Sequence, residues 1–155
     1  MAKKLFDTPD TTTQFDPADI ELNNRLSCLA YLGLIPWLIP MLLVKKSRFA
    51  KYHANQGLVL LILNLISGVI LGVIKLIAGL ISSGIVALCM KIAMKLAFFA
   101  TVGTIFSVII SIITWILITL VSLAVLFLTV VGIIYAAKGR AKELPLIGRF
   151  KLIKY

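Results

Sequence analysis

LAFFATVGTIFSVIISIITWILITLVSLAVLFLTVVGIIYAA, residues 96–137, runs for 42 residues without a charged side chain. No water-soluble domain of this size needs such a run. A bilayer core is about 30 Å thick, and a helix crosses it with roughly 20 apolar residues. At about 1.5 Å per residue the run would reach ~63 Å as one helix. It is therefore two spans or one long, overhanging span. No Gly, Pro, Asn or Asp occurs between Gly103 and Gly132 to mark a turn. Gly103, Thr104, Ser107, Ser111, Thr114, Ser122, Thr129 and Gly132 keep helical phase in one sector, with only Thr119 outside it. A tight hairpin near residue 115 has no reason to preserve that register. One continuous, tilted helix over 103–136 is expected.

Working outward, the composition agrees with a membrane. The chain has 155 residues, 61% of them apolar, and a mean hydropathy of +1.07. Those values belong to integral membrane proteins and leave no room for a separate soluble domain. The net charge is +10, unevenly spread. Five of the six acids are Asp7, Asp10, Asp16, Asp19 and Glu21; after them only Glu143 faces fourteen Lys and Arg. These bases border apolar runs, so they read as topology signals and anionic-lipid contacts rather than a nucleic-acid surface. No cleavable leader is expected, because the first 25 residues are acidic and polar. Cys28 and Cys89 lie far apart in apolar surroundings and read as free, buried thiols.

Residues 1–15 are expected to be a flexible acidic segment, rich in turn formers. Asp16-Pro17 is a helix start, with Asp16 as cap, Pro17 at the first helical position and Asp19 and Glu21 complementing the dipole. A first span is expected at 28–44, kinked by Pro36 and Pro40, with Trp37 filling the bend. Residues 45–57 then form a basic loop, and a second span covers 58–81. On that span Gly57, Asn64, Gly68, Gly72, Lys75, Gly79 and Ser82 share one sector. Gly68 and Gly72 form a GxxxG pair that permits close backbone approach. Ser82-Ser83-Gly84 reads as a turn. Residues 85–100 carry Lys91 and Lys95 on one stripe and are expected to lie in the interface, since a lysine at mid-membrane costs about 2.5–3.5 kcal/mol. The membrane domain is thus 16–137, followed by a basic juxtamembrane tail, 138–155. The expected fold is an all-α integral membrane protein. It is a small bundle of three transmembrane helices, with four as the rival count, plus an interfacial amphipathic helix.

Bases near span ends mark the cytoplasmic side. Lys45, Lys46, Arg48 and Lys51 follow the first span; Lys138, Arg140, Lys142, Arg149 and Lys151 follow the last. These nine are the candidate lipid-headgroup and topology residues. Three spans with both regions inside place the N-terminus outside and the C-terminus in the cytoplasm.

Chemistry-bearing residues are few. No carboxylate occurs from 22 to 142, so paired carboxylates, a Ser-His-Asp triad and a carboxylate relay have no parts in the membrane region. The sequence carries no nucleotide fingerprint and no zinc-like spacing, and no enzyme, cofactor or metal is expected. His53, the only histidine, reads as a hydrogen-bonding or capping residue before a catalyst. An ionisable residue inside a span is a functional hypothesis by default, which singles out Lys75. The candidate site is a helix-packing seam. Asn64, Gly68, Gly72, Lys75 and Gly79 on one span would face Ser107, Ser111, Thr114 and Ser122 on the other. Simple packing is the plain alternative to a polar path. The tail, KGRAKELPLIGRFKLIKY, alternates bases with apolar residues, as a binder of an anionic leaflet does.

Two stretches carry a resemblance. LAYLGLIPWLIPMLLVKKSRFAKYHANQG covers 29–57, and GIIYAAKGRAKELPLIG covers 132–148. The first holds a basic loop and a His53-x-Asn55-Gln56-Gly57 start to the next span; the second holds Ala136, Gly139, Pro145, Leu146 and Gly148. The chain resembles the bacterial family of small membrane proteins related to the twenty-kilodalton subunit of the chloroplast inner-envelope import translocon (Tic-twenty-like). Residues 82–102 look like an insertion relative to shorter members. The resemblance implies a helical protein of the bacterial inner membrane, and in plants a part of an import channel. Two functions follow as expectations. One is a non-enzymatic scaffold or accessory subunit, packing with anionic lipid and with a membrane-protein partner or a second copy. The other is a transport or protein-translocation element with a polar seam.

Overall fold

A computed structural model describes residues 8–93 and 97–154, all-helical in its regular elements. A 3-10 turn at Thr12–Gln14 precedes α1 (Pro17–Cys28); a second at Leu29–Tyr31 precedes α2 (Leu34–Leu43); α3 is Arg48–Ala93 and α4 is Ala97–Ala137. Asp16 caps α1 by accepting a bond from the Ala18 N–H at 3.0 Å, with Pro17 opening the helix.

Several expectations change. The stretch 28–44 is not one span, since Gly33, at φ +108°, separates the 3-10 turn from a ten-residue α2. At about 1.5 Å per residue, ten residues reach half of a bilayer core. Pro36 is tolerated in the first turn, where its missing N–H would have no partner, while Pro40 lies inside the helix. The basic loop shrinks to 44–47, because α3 begins at Arg48. Ser47 Oγ caps it, accepting from the Ala50 N–H at 2.9 Å. The expected turn at 82–84 is helical, and residues 85–93 are the end of α3 rather than a separate interfacial helix. Residues 97–100 open α4, and 94–96, with Lys95, lie outside the described residues. The stretch 103–136 lies within unbroken α4.

The chain divides into two compact units. The first is Met1–Leu65 with Ala124–Tyr155. In it Ala30, Tyr31, Leu60, Leu128, Ala136 and Leu144 form one buried cluster. Phe15, Phe49, Tyr52 and Ala141 form another. Phe15 meets Phe49 and Tyr52 edge-on, with centroids 6.0 and 5.5 Å apart. Gly57 lets α3 lie against the Leu29–Tyr31 turn: a Cβ there would sit 2.0 Å from the Ala30 carbonyl oxygen. Helix α4 ends in a Schellman motif. Arg140 N–H donates to Tyr135 O and Gly139 N–H to Ala136 O, with Gly139 at φ +65°.

The same unit joins the N-terminal segment to the start of the tail. Thr11 N–H donates to Ala141 O at 2.9 Å, Glu143 N–H donates to Pro9 O at 3.2 Å, and Asp10 pairs antiparallel with Lys142. The N-terminal segment and the start of the tail are therefore neighbours. Residues 8–15 are held rather than loose, with Phe15 buried; residues 1–7 lie outside the described set.

The second unit, Ile66–Leu123, pairs the remaining parts of α3 and α4. They come close at Gly103, where a Cβ would lie 2.8 Å from Cys89 Cβ.

Candidate functional site

Ser47 and the apolar-aromatic spacing Phe49, Tyr52, His53, Gln56 open α3 on the first unit's core. Within its first turns Tyr52, His53, Asn55 and Gln56 are all buried. Buried polar groups need partners, and here most partners are backbone groups of the tail. Asn55 Nδ2 donates to Phe150 O at 2.8 Å, and Asn55 Oδ1 accepts from the N–H groups of Leu152 and Ile153 at 2.6 and 2.8 Å. Gln56 Nε2 donates to Gly148 O at 2.9 Å, and Gln56 Oε1 accepts from the Leu144 N–H at 3.4 Å. The two amides thus act as a short template for an irregular strand, which pins residues 144–153 against α3. Gly148 fits because a Cβ would strike Leu144 N at 2.5 Å. Leu146 takes φ +69° in the same turn.

His53 stands in an aromatic nest of Tyr31, Phe49 and Tyr52, with centroids 5.9, 4.6 and 5.2 Å away. The Tyr31 hydroxyl and His53 Nδ1 share a hydrogen bond of 2.8 Å. Nε2 makes no well-formed hydrogen bond among the described residues, and the Arg140 backbone is close enough to interact with the ring. The ring is fully buried, and among the described residues no carboxylate or thiol is bonded to it. The arrangement positions the Leu29–Tyr31 turn against α3. Trp37, expected to fill a bend, instead donates its Nε1–H to the Ala54 carbonyl at 2.7 Å and fixes α2 to the same helix.

Asp19, on α1, serves the start of α3. Its Oδ2 accepts from the Phe49 N–H at 3.1 Å and its Oδ1 from Asn23 Nδ2 at 2.8 Å. Burial pushes its carboxyl pKa upward. Bonds from the Ser47 side chain, the Phe49 N–H, Asn23 and the Arg48 N–H outweigh that, and the pKa lies below its ordinary value.

The predicted seam is only partly assembled. In the second unit Lys75 and Gly79 line a cleft of about 190 Å³ with Ser82, Ser111, Thr114 and Trp115. In the first unit Asn64 borders a cleft of about 60 Å³ with Tyr31, Val125 and Thr129. Gly68, Gly72 and Gly79 face open space: an added Cβ meets nothing within 4 Å. The GxxxG pair therefore does not bring α4 close; Gly103 is tight against Cys89 of α3, while Gly57 and Gly132 are tight against Ala30 and Tyr31 of the Leu29–Tyr31 turn. The hydroxyls also serve their own helix. Ser111 donates to Ser107 O at 2.9 Å, Thr114 to Ile110 O at 2.8 Å and Thr129 to Val125 O at 3.0 Å. Ser122 is exposed.

All nine candidate headgroup bases fall in the first unit. Lys45, Lys46, Arg48, Lys138, Arg140, Arg149 and Lys151 are exposed, while Lys51 and Lys142 are half-buried. Arg48 stands over the Phe15 ring at 6.0 Å and Lys142 over Tyr135 at 5.8 Å. Among the described residues no group of three metal-ligating side chains comes together. The sequence reading missed Asn55 and Gln56 as the tail's template, although two adjacent amides at the head of an apolar helix are a visible signal.

No protein-family model, no curated protein and no solved structure matches this chain.

Proposed function

We propose that the chain is a non-enzymatic integral membrane component. It crosses the bilayer with α3 and α4, and both polar ends lie on the cytoplasmic side. One observation carries this reading. Two helices are long and apolar enough to span, yet only 17% and 11% of their most apolar windows are buried within the chain. A core helix of a soluble protein would be mostly covered. Exposed Leu, Ile, Val and Phe along both helices cost roughly 1.5–3 kcal/mol each in water, and lipid or partner helices remove that cost. Both helices exceed the length of a perpendicular crossing, so they tilt. Two crossings put the bases before α3 and those after α4 on one side, as the positive-inside rule asks, and the bonds between residues 9–11 and 141–143 fit the same arrangement. Helix α2 enters and returns without crossing, because Asp19 before it and Phe49 after it are bonded to each other. Membership of the Tic-twenty-like family belongs to this proposal and rests on the two stretches quoted above.

The role is that of a scaffold or accessory subunit in the bacterial inner membrane. The alternative, a translocation element, needs hydroxyls turned toward a path. Those of Ser111, Thr114 and Thr129 are bonded to their own helix instead. Carbonate extraction of native membranes is the first test: the protein stays with the pellet, and release into the supernatant overturns the reading. Crosslinking and purification in mild detergent then identifies the neighbour. Conductance or peptide passage after reconstitution would replace the scaffold role with the alternative.

A further inference from the structure

We propose that the strap formed by residues 144–153 is a binding element for anionic phospholipid headgroups, held ready by Asn55 and Gln56. The inference rests on the membrane reading above and names the ligand of its polar end. A free basic tail would lose conformational entropy on reaching a leaflet. Here that loss is already met in folding. Five hydrogen bonds from two buried amides fix the backbone at Leu144, Gly148, Phe150, Leu152 and Ile153. The fixed strap keeps its large side chains outside: Phe150 is 60% and Leu152 55% exposed. Arg149 and Lys151 alternate with them and are exposed as well.

Charge complementarity selects the occupant. From residue 22 onward Glu143 is the only acid, and of the N-terminal acids Asp10 has its charge beside Arg140 and Lys142. Lys45, Lys46 and Arg48 add cations to the same unit. Alternating bases with exposed Phe and Leu suits an interface, where ammonium and guanidinium groups meet phosphates and the apolar side chains enter the acyl boundary.

Fluorescence quenching in proteoliposomes tests the proposal, with brominated phosphatidylglycerol or brominated phosphatidylcholine as probe. One reporter is native Trp115 alone, in a Trp37→Phe background. The other is Phe150→Trp with Trp37→Phe and Trp115→Phe. A bimane label at Phe150→Cys, with Cys28→Ala and Cys89→Ala, repeats the measurement with Trp37 intact. The strap reporter is expected to be quenched by brominated phosphatidylglycerol and much less by the neutral lipid. Arg149→Gln or Lys151→Gln should each lower its bound-to-free ratio about fivefold, and high salt should weaken it further. A quenched Trp115 with an unquenched strap reporter overturns the strap and leaves the membrane reading standing. Equal, salt-independent quenching by both lipids overturns the preference for anionic headgroups. If Trp115 itself is not quenched, the membrane reading fails and the strap fails with it.

Discussion

Asp19 belongs to one helix and serves another. Its carboxylate accepts the Phe49 N–H, one of the donors that the first turn of α3 leaves unpaired, while Ser47 takes the Ala50 N–H. Together they explain why the stretch from Arg48 through Lys51 becomes helix instead of loop. The sequence reading places Ser47 inside the expected loop 45–57, and Asp19 lies too far away in sequence for any local pattern to assign it. The Asp19 pKa is depressed, so its stabilisation is fully present above the ordinary carboxylate value of about 3.9 and is lost as pH falls through the lower folded value. Asp19→Asn keeps an acceptor oxygen and removes the charge, and should cost about 0.3–1 kcal/mol at pH 7, the usual worth of a carboxylate charge at a helix N-terminus. Its stability curve, followed by chemical unfolding in detergent, should rejoin the wild-type curve once the pH has fallen below the lowered folded pKa. A constant gap from pH 7 to the acid limit would mean that the carboxylate charge plays no part.

At the scale of elements, two stripes read alike in sequence and behave differently. Small residues recur at helical period on both long helices, and periodicity correctly anticipates an unbroken helix over 103–136. It does not say which small residues touch a neighbour. Gly57, Gly103 and Gly132 are closed by Ala30, Cys89 and Tyr31, whereas Gly68 and Gly72 face open space. The difference arises from partners: Ala30 and Tyr31 belong to the Leu29–Tyr31 turn, whose position depends on Gly33 and the His53 bond. A glycine pattern on one helix contains none of that. The hydroxyl stripe is ambiguous in the same way, because a Ser or Thr in a helix can bond its own carbonyl four residues back. Replacing Gly68 and Gly72 with Leu should therefore leave the fold intact. Each change gains up to roughly 1 kcal/mol in helix propensity, so the melting temperature in detergent should hold or rise. A fall of more than about 5 °C would show that the glycine face is already closed within the chain. Loss of a co-purified partner at unchanged melting temperature would place that partner on this face.

For the molecule as a whole, the proposed topology rests on a few hydrogen bonds at the polar end. Counting bases alone puts the loop and the tail on one side, but leaves the N-terminal segment free to start on either. A span at 28–44 would have sent it outside. The two-crossing arrangement proposed above rests instead on the pairing of Asp10 with Lys142 and the flanking bonds from Thr11 to Ala141 and from Glu143 to Pro9. Residues 130 apart in sequence are invisible to a local reading, and Gly33, which ends the apolar stretch early, looks like one more small residue in a span. Paired residues on antiparallel strands have Cα atoms about 4.5–5.5 Å apart, within the reach of a disulfide. Asp10→Cys with Lys142→Cys, in a background of Cys28→Ala and Cys89→Ala, should thus form an intramolecular crosslink in isolated membranes under mild oxidation. The product migrates faster on a non-reducing gel and reverts with thiol. The single-cysteine variants should stay unchanged. If the double variant does not crosslink while remaining folded, the two ends are not neighbours in the membrane. The three-crossing arrangement, with its N-terminus outside, would then regain its standing.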